Sequence, residues 1–193
     1  MDARSRQPTY NLWRRLDVPG HDAARLIEEG PGAELSGFAV FADEGVPAAL
    51  HYEVHCDATW HTTEAHVQGW HGAAPVDLQI TRDNADRWAL NEIPCPSVTG
   101  CVDLDLSFTP ATNLLPLRRL RLAVNQAAEV HSAWLQWPSL VLTLLVQRYR
   151  RRSIDEYDYE ADLPGASRFT AVLRVDPNHW VLGYGGLWQT EMQ

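Results

Sequence analysis

Apolar and polar positions along this chain alternate in short runs. PVDLQIT (75–81) sets Val76, Leu78 and Ile80 against Asp77, Gln79 and Thr81. RFTAVLRVD (168–176) places Phe169, Ala171, Leu173 and Val175 on one side. A period of two marks a half-buried strand with one wet face. Similar runs predict strands at GFAVF (37–41), AALHYEVHC (48–56), WHTTEAHV (60–67), RWAL (87–90) and CVDLDLSF (101–108). Further strands are predicted at RLRLAV (119–124), VHSAWL (130–135), EYDYEA (156–161) and HWVLGY (179–184). Turn signals such as Asp43-Glu44-Gly45, Asp83-Asn84, Asp176-Pro177-Asn178 and Gly185-Gly186 separate them. Strand plus turn every ten or so residues predicts a mainly β fold, a large antiparallel sheet or barrel.

Helical signals are few. Residues 109–119 are the best short helix, capped by Thr109 or Asn113, with Pro110 or Pro116 in the first turn where no N–H is needed. Pro116 argues against one helix running straight on from Pro110. HDAARLIEEG (21–30) is a second helical candidate. LVLTLLVQRYR (140–150) reads as a strand from its β-branched content, with a buried helix as the alternative. No repeat, linker or low-complexity stretch divides the chain, so residues 1–193 are read as one domain.

One predicted strand carries two carboxylates. In 101–108, Val102, Leu104, Leu106 and Phe108 face one way, and Cys101, Asp103, Asp105 and Ser107 the other. Carboxylates at i and i+2 lie about 7 Å apart at the Cα level. They repel unless water, a cation or hydrogen-bond donors intervene, and Arg118, Arg119 and Arg121 follow a short turn later. A solvated outer face is the plain alternative.

Composition narrows the partners. The net charge is −9 and all 16 basic residues are Arg. Such a surface repels nucleic-acid phosphates and anionic lipid head groups. The longest apolar run, LVLTLLV (140–146), is far below the roughly 18 residues of a membrane span. MDARSRQPTY (1–10) has no apolar core of a secretory leader, and three cysteines without a pairing motif fit a reduced, cytoplasmic setting. Eight Trp supply flat apolar faces for a core, an interface or a sugar or lipid site.

The run Gly100-Cys101-x-Asp103-x-Asp105-Leu106, then Thr109-Pro110-x-Thr112-Asn113-x-x-Pro116-x-Arg118-Arg119-Leu120, resembles the signature of a bacterial glycolipid-binding family once known only as a domain of unknown function. Tyr52 with Asp57 and Trp60, Arg87-Trp88, Tyr157-x-Tyr159-Glu160, Phe169-x-Ala171, Val175-Asp176 and Tyr184-x-Gly186-Leu187 follow the same pattern. The match spans roughly residues 12–188. Ala111 stands where that pattern has an aromatic, and Gly185 where it has Pro.

The resemblance implies a curved antiparallel sheet, a partial barrel, wrapped around a single short helix and distantly like lipoprotein carriers. It also implies a homodimer and an acidic pocket on the concave face that binds a glycolipid, a sugar or a related amphiphile. Polar contacts are then expected from Asp103, Asp105, Asn113, Arg118 and Glu160, and walls from Tyr52, Trp60, Trp88 and Tyr159. Tyr159 and Glu160 point to opposite faces of one strand, so one of them is expected in the pocket. Asn113 reads equally as a helix cap, and Arg118 as a counter-ion.

Other chemistries fit less well. His51, His55, His61, His66 and His71 match no recognised zinc spacing, although His51, Glu53 and His55 share a strand face. Neighbouring carboxylates raise a thiol pKa, so Cys101 reads as a small buried residue. No nucleophile elbow, dinucleotide loop or phosphate-cradling motif is present, and no cofactor is expected. Arg148, Arg150, Arg151 and Arg152 precede Asp155, Glu156, Asp158, Glu160 and Asp162, which reads as paired solvated edges. The expected function is non-enzymatic binding. The alternatives are a glycosidase- or esterase-like hydrolase using Asp103, Asp105 or Glu160, and a dimeric scaffold without ligand.

Overall fold

The computed structural model describes residues 7–163, 165 and 168–192. Of the segment read above as lacking a leader, residues 1–6 lie outside the described residues. The strands are β1 (Thr9–Arg15), β2 (Gly20–Glu29), β3 (Gly32–Asp43), β4 (Val46–Cys56), β5 (Thr62–His71), β6 (Ala74–Arg82), β7 (Trp88–Leu90), β8 (Ile93–Pro94) and β9 (Asp103–Leu106). Helix α1 (Leu114–Leu120) follows, then β10 (Ala127–Leu135), β11 (Leu142–Arg151), β12 (Glu156–Asp162), β13 (Phe169–Val175), β14 (Val181–Tyr184) and β15 (Trp188–Thr190).

The fifteen strands among the described residues form one open sheet in the order 8-7-6-5-4-3-2-1-15-14-13-12-11-10-9. Hairpin connections build each half, and β1 pairs with β15 to join the two ends of the chain mid-sheet. The pairing is antiparallel except between β9 and β10, which run parallel. A parallel pair cannot be closed by a tight turn and needs a long crossover. Residues 107–126 are that crossover, and they carry α1. The sheet also rolls without closing: Thr62, at the start of β5, donates its N–H to Val102 O at 2.9 Å, and its hydroxyl accepts the Leu104 N–H at 3.2 Å.

Alternation puts Ala48, Leu50, Tyr52, Val54 and Cys56 of β4, and Tyr157, Tyr159 and Ala161 of β12, on the inner face. The helix fills the hollow. Leu114, Leu115, Pro116 and Leu117 are buried; the first two pack with the core of β1–β6 and β9, and Leu117 with that of β10–β14. A 3-10 turn (Ala111–Asn113) leads into α1, so Pro116 falls in the first α-turn and costs no hydrogen bond.

Two expectations fail. Residues 21–29 lie in strand β2, not a helix: pairing on both sides with β1 and β3 overrides the helix propensity of Ala-Ala-Arg-Leu. Residues 119–124 are not a strand; they are the end of α1 and its exit, where Arg121 adopts a left-handed conformation and donates its N–H to Leu117 O at 3.3 Å. Its apparent alternation came from the last helical turn.

Gly37 on β3 faces inward between Ala24 and Tyr52. A Cβ there would lie 2.4 Å from the Tyr52 hydroxyl and 2.7 Å from Ala23 O. The Gly37→Ala substitution is therefore expected to lower stability by about 1–3 kcal/mol, as read by urea unfolding.

Candidate functional site

A cavity of about 160 Å³ lies between the crossover and the inner face of β10–β15. Its walls are the rings of Trp134, Tyr159, Phe169, Tyr184 and Trp188, one from each of β10, β12, β13, β14 and β15. Tyr159, Phe169 and Tyr184 are mutually tilted, with centroids 5.5–6.3 Å apart and interplanar angles of 65–82°. Asp105, Ser107, Thr109 and Asn113 supply its polar atoms. Two larger grooves, of about 570 and 530 Å³, lie over the outer face, the first beside Tyr10 and Phe38 and the second beside Arg148 and Glu160. The inner cavity is the better candidate despite its size, because a carboxylate, two hydroxyls and an amide converge there within five aromatic walls.

Asp105 belongs to a fixed chain of hydrogen bonds. The Ser132 hydroxyl donates to Gln147 Oε1 at 2.7 Å. Gln147 Nε2 donates to Asp105 Oδ2 at 2.7 Å and to the Tyr159 hydroxyl at 2.9 Å. Tyr159 in turn shares a hydrogen bond with Tyr184. Burial pushes the Asp105 carboxyl up to about 6; the Gln147 bond pulls it down, and the Asp103 charge adds to the rise. Asn113 is a bracket: its Oδ1 accepts from the Tyr149 hydroxyl at 2.9 Å, and its Nδ2 donates to Pro110 O at 3.3 Å. It sits at the cap position of α1 but makes no side-chain cap bond.

Asp103 shares its strand face with Asp105 but does not line the cavity. Its side chain is 1% exposed and is held by Arg119, with Nε on Oδ1 at 3.2 Å and Nη2 on Oδ2. Burial nonetheless raises its pKa against that partner. A third carboxylate escaped the sequence reading. Asp22 on β2 is fully buried and accepts from the Tyr52 hydroxyl, at 3.0 Å to Oδ2, and from the Thr109 hydroxyl. Burial pushes it up to about 7, with the Thr109 and Tyr52 bonds pulling the other way. Thr109 Oγ1 also accepts the Ala111 N–H at 3.0 Å, so this cluster ties the start of the crossover to β2.

Of the residues expected from the sequence, the structure brings Asp105, Asn113 and Tyr159 together at the cavity. Tyr52 belongs to the Asp22 cluster behind Thr109. Trp88 is buried in the core and donates to Cys101 O at 2.9 Å. Trp60 lies under the Arg118 guanidinium, whose central carbon is 5.3 Å from the ring centroid. Arg118 itself binds Glu28 at 3.2 Å and Asn178 O at 2.9 Å. Glu160 lies on the outer face against Arg168 at 3.0 Å. Ala111 is buried in the core and does not line the cavity, whereas Gly185 takes a φ of +43° in the turn after β14.

Gln147, Trp134 and Tyr184 were not singled out as site residues. Gln147 carried a signal, as a polar residue at an inward position between Leu145 and Tyr149. On the outer face, ligand atoms of Glu34, Glu53 and His55 lie within 4.8 Å of one another, but Glu34 already accepts from Ser36 and pairs with Arg25. Cys101 is buried, and burial pushes its thiol up to about 11, away from a nucleophile.

A long open sheet rolled around a buried crossover helix, with an aromatic cavity at their junction, defines the structural class. The model of the family described as "Putative glycolipid-binding" matches residues 11–190, and the chain belongs to that family. Among solved structures it is similar to a DUF1089 family protein from Pseudomonas aeruginosa, with 30% identity, a TM-score of 0.74, and coverage of 95% of this chain and 92% of that one. No curated protein matches it.

Arg119→Ala strands Asp103 in the interior and is expected to cost about 3 kcal/mol near neutral pH, the loss shrinking in acid as Asp103 takes up a proton; chemical denaturation at two pH values measures it. For Asp22 the sign is opposite to that of an ordinary surface carboxylate. Its folded pKa of about 7 exceeds the unfolded value near 3.9, so its stabilising share is complete below about pH 4 and lost as pH rises through 7. Asp22→Asn is therefore expected to gain stability relative to wild type across that window, by up to about 4 kcal/mol, in urea midpoints taken at pH steps.

Proposed function

We propose that this protein binds the head group of a glycolipid, or of a related sugar-bearing amphiphile, in the cavity between the crossover and β10–β15. The observation that carries the reading is a small aromatic-walled hollow floored by one incompletely partnered carboxylate. Aromatic faces pack against the C–H side of a sugar ring, while carboxylate and amide groups order its hydroxyls. The volume of about 160 Å³ is below the usual ~300–1,000 Å³ of small-molecule sites. It suits one head group, with the chains left outside. Asp105 and Tyr159 are the proposed polar contacts. Asn113, Asp103, Arg118, Tyr52, Trp60 and Trp88 support the fold around them, and Glu160 takes no part.

The arrangement favours binding over hydrolysis. Glycoside cleavage uses two carboxyl groups flanking one bond. Here Asp103 is engaged by Arg119, and Glu160 points to the other side of the sheet, so Asp105 faces the cavity without either of them.

The binding unit is proposed to be the whole chain as one domain, paired as a homodimer in the cytoplasm. Exposed Tyr10, Phe38, Val40 and Trp70 on the outer face of β1–β5 offer apolar surface for a second copy. Three free thiols suit a reducing compartment. Among the described residues, no helix is long and apolar enough to cross a membrane.

Native mass spectrometry of the purified protein is expected to show a dimer carrying a co-purified amphiphile, with the bound fraction falling at least about tenfold in Asp105→Asn. A clean apo spectrum, with no thermal shift across a panel of glycolipids, would favour the scaffold reading.

A further inference from the structure

Charge is distributed unevenly around the cavity. Among the described residues that line it, Asp105 is the one that carries charge near neutral pH, with no arginine or histidine beside it in the lining. The nearby cations are spent elsewhere: Arg119 holds Asp103, and Arg15, which lies over the Trp188 ring at 5.0 Å, is paired with Asp17 at 2.8 Å. Among the described residues Asp105 accepts a single hydrogen bond, on Oδ2 from Gln147, leaving Oδ1 without one. The rings of Tyr159, Phe169, Tyr184 and Trp134 line the same cavity, the first three steeply inclined to one another with centroids 5.5–6.3 Å apart.

Resting on the head-group reading above, we propose that the cavity selects a head group bearing an alkylammonium, seated between the Asp105 carboxylate and the Trp134, Tyr159, Phe169 and Tyr184 rings. A ring face attracts a cation through its quadrupole, and several faces around one carboxylate form the arrangement that recognises amines and quaternary ammonium groups. An ammonium offsets the desolvated carboxylate more fully than a sugar hydroxyl does, because it brings opposite charge into a low-dielectric site. An anionic head group is disfavoured by Asp105, whereas the charge of Asp103 on the same strand face is compensated by Arg119. The net charge of −9 also draws cations toward the protein. An amino sugar and a choline-type group share this chemistry.

Calorimetric titration of the full chain with two matched pairs decides the matter: methyl glucosaminide against methyl glucoside, and choline against its uncharged isostere 3,3-dimethylbutan-1-ol. The charged member of at least one pair is expected to bind on the order of tenfold tighter than its neutral partner, and the pair that does so tells amino sugar from choline-type ligand. Asp105→Asn is expected to close most of that gap. Phe169→Leu, which removes one ring and leaves the carboxylate in place, is expected to narrow it several-fold, so the outcome does not depend on one variant folding. Equal or tighter binding of the neutral members overturns the ammonium selection and leaves the head-group cavity standing. Charged-ligand affinity untouched by both variants also overturns it, by placing the ligand elsewhere. Failure of all four probes to bind overturns both readings.

Discussion

Parallel pairing of β9 with β10 is the constraint on which most of this structure depends. The chain must travel from the end of one strand to the start of its parallel neighbour, and the sheet houses that path on its inside. A seven-residue helix is too short to stand alone. Four buried apolar residues and three polar anchors hold it: Thr109 to Asp22, Asn113 to Tyr149, and Arg119 to Asp103. Each anchor brings a polar group into the interior. This is why a segment that otherwise resembles core carries Asp103; its second aspartate, Asp105, is held by Gln147 of β11 instead.

The three inward carboxylates show how partners decide chemistry on a single scaffold. Asp103 keeps a guanidinium and is structural. Asp22 has hydroxyl donors and no cation, and it titrates near neutrality. Asp105 has one amide donor and faces open space. Burial raises all three, yet only Asp105 combines a raised pKa with room for another molecule. Gln147 links the strand floor to the aromatic wall, since one amide nitrogen serves both Asp105 and Tyr159.

Strands with strict alternation were legible. The β4, β6, β12 and β13 segments carry polar residues outward and apolar residues inward, and their predicted bounds fall within a few residues of those observed. Strand β1 was invisible because its pattern is partly reversed, with Tyr10 facing out and Asn11 facing in. Strand β2 hid for a related reason: Asp22 and Ala24 occupy inward positions, which weakens the apolar signal and lets helix propensity speak. Missing β2 meant missing Asp22. At the site, the resemblance pointed to Asp105, Asn113 and Tyr159. It also drew in Trp60, Trp88 and Arg118, which belong to the same sequence pattern but to different parts of the hollow.

By itself the sequence determined the class of fold, the presence of one short helix near 109–119 (observed at Leu114–Leu120), the opposite faces of Tyr159 and Glu160, and the placing of both aspartates on one side of their strand. These are local properties, set by side-chain period, proline chemistry and pleat. Tertiary structure alone decided which aspartate met an arginine and which met a cavity. That choice depends on how a strand at one edge of the sheet, a crossover and a wall that runs from the adjacent strand β10 to β15 converge, and no spacing along the chain encodes it. Two carboxylates alike in sequence context thus became a sealed ion pair and an open acceptor, because one lies beneath Arg119 and the other beneath Gln147.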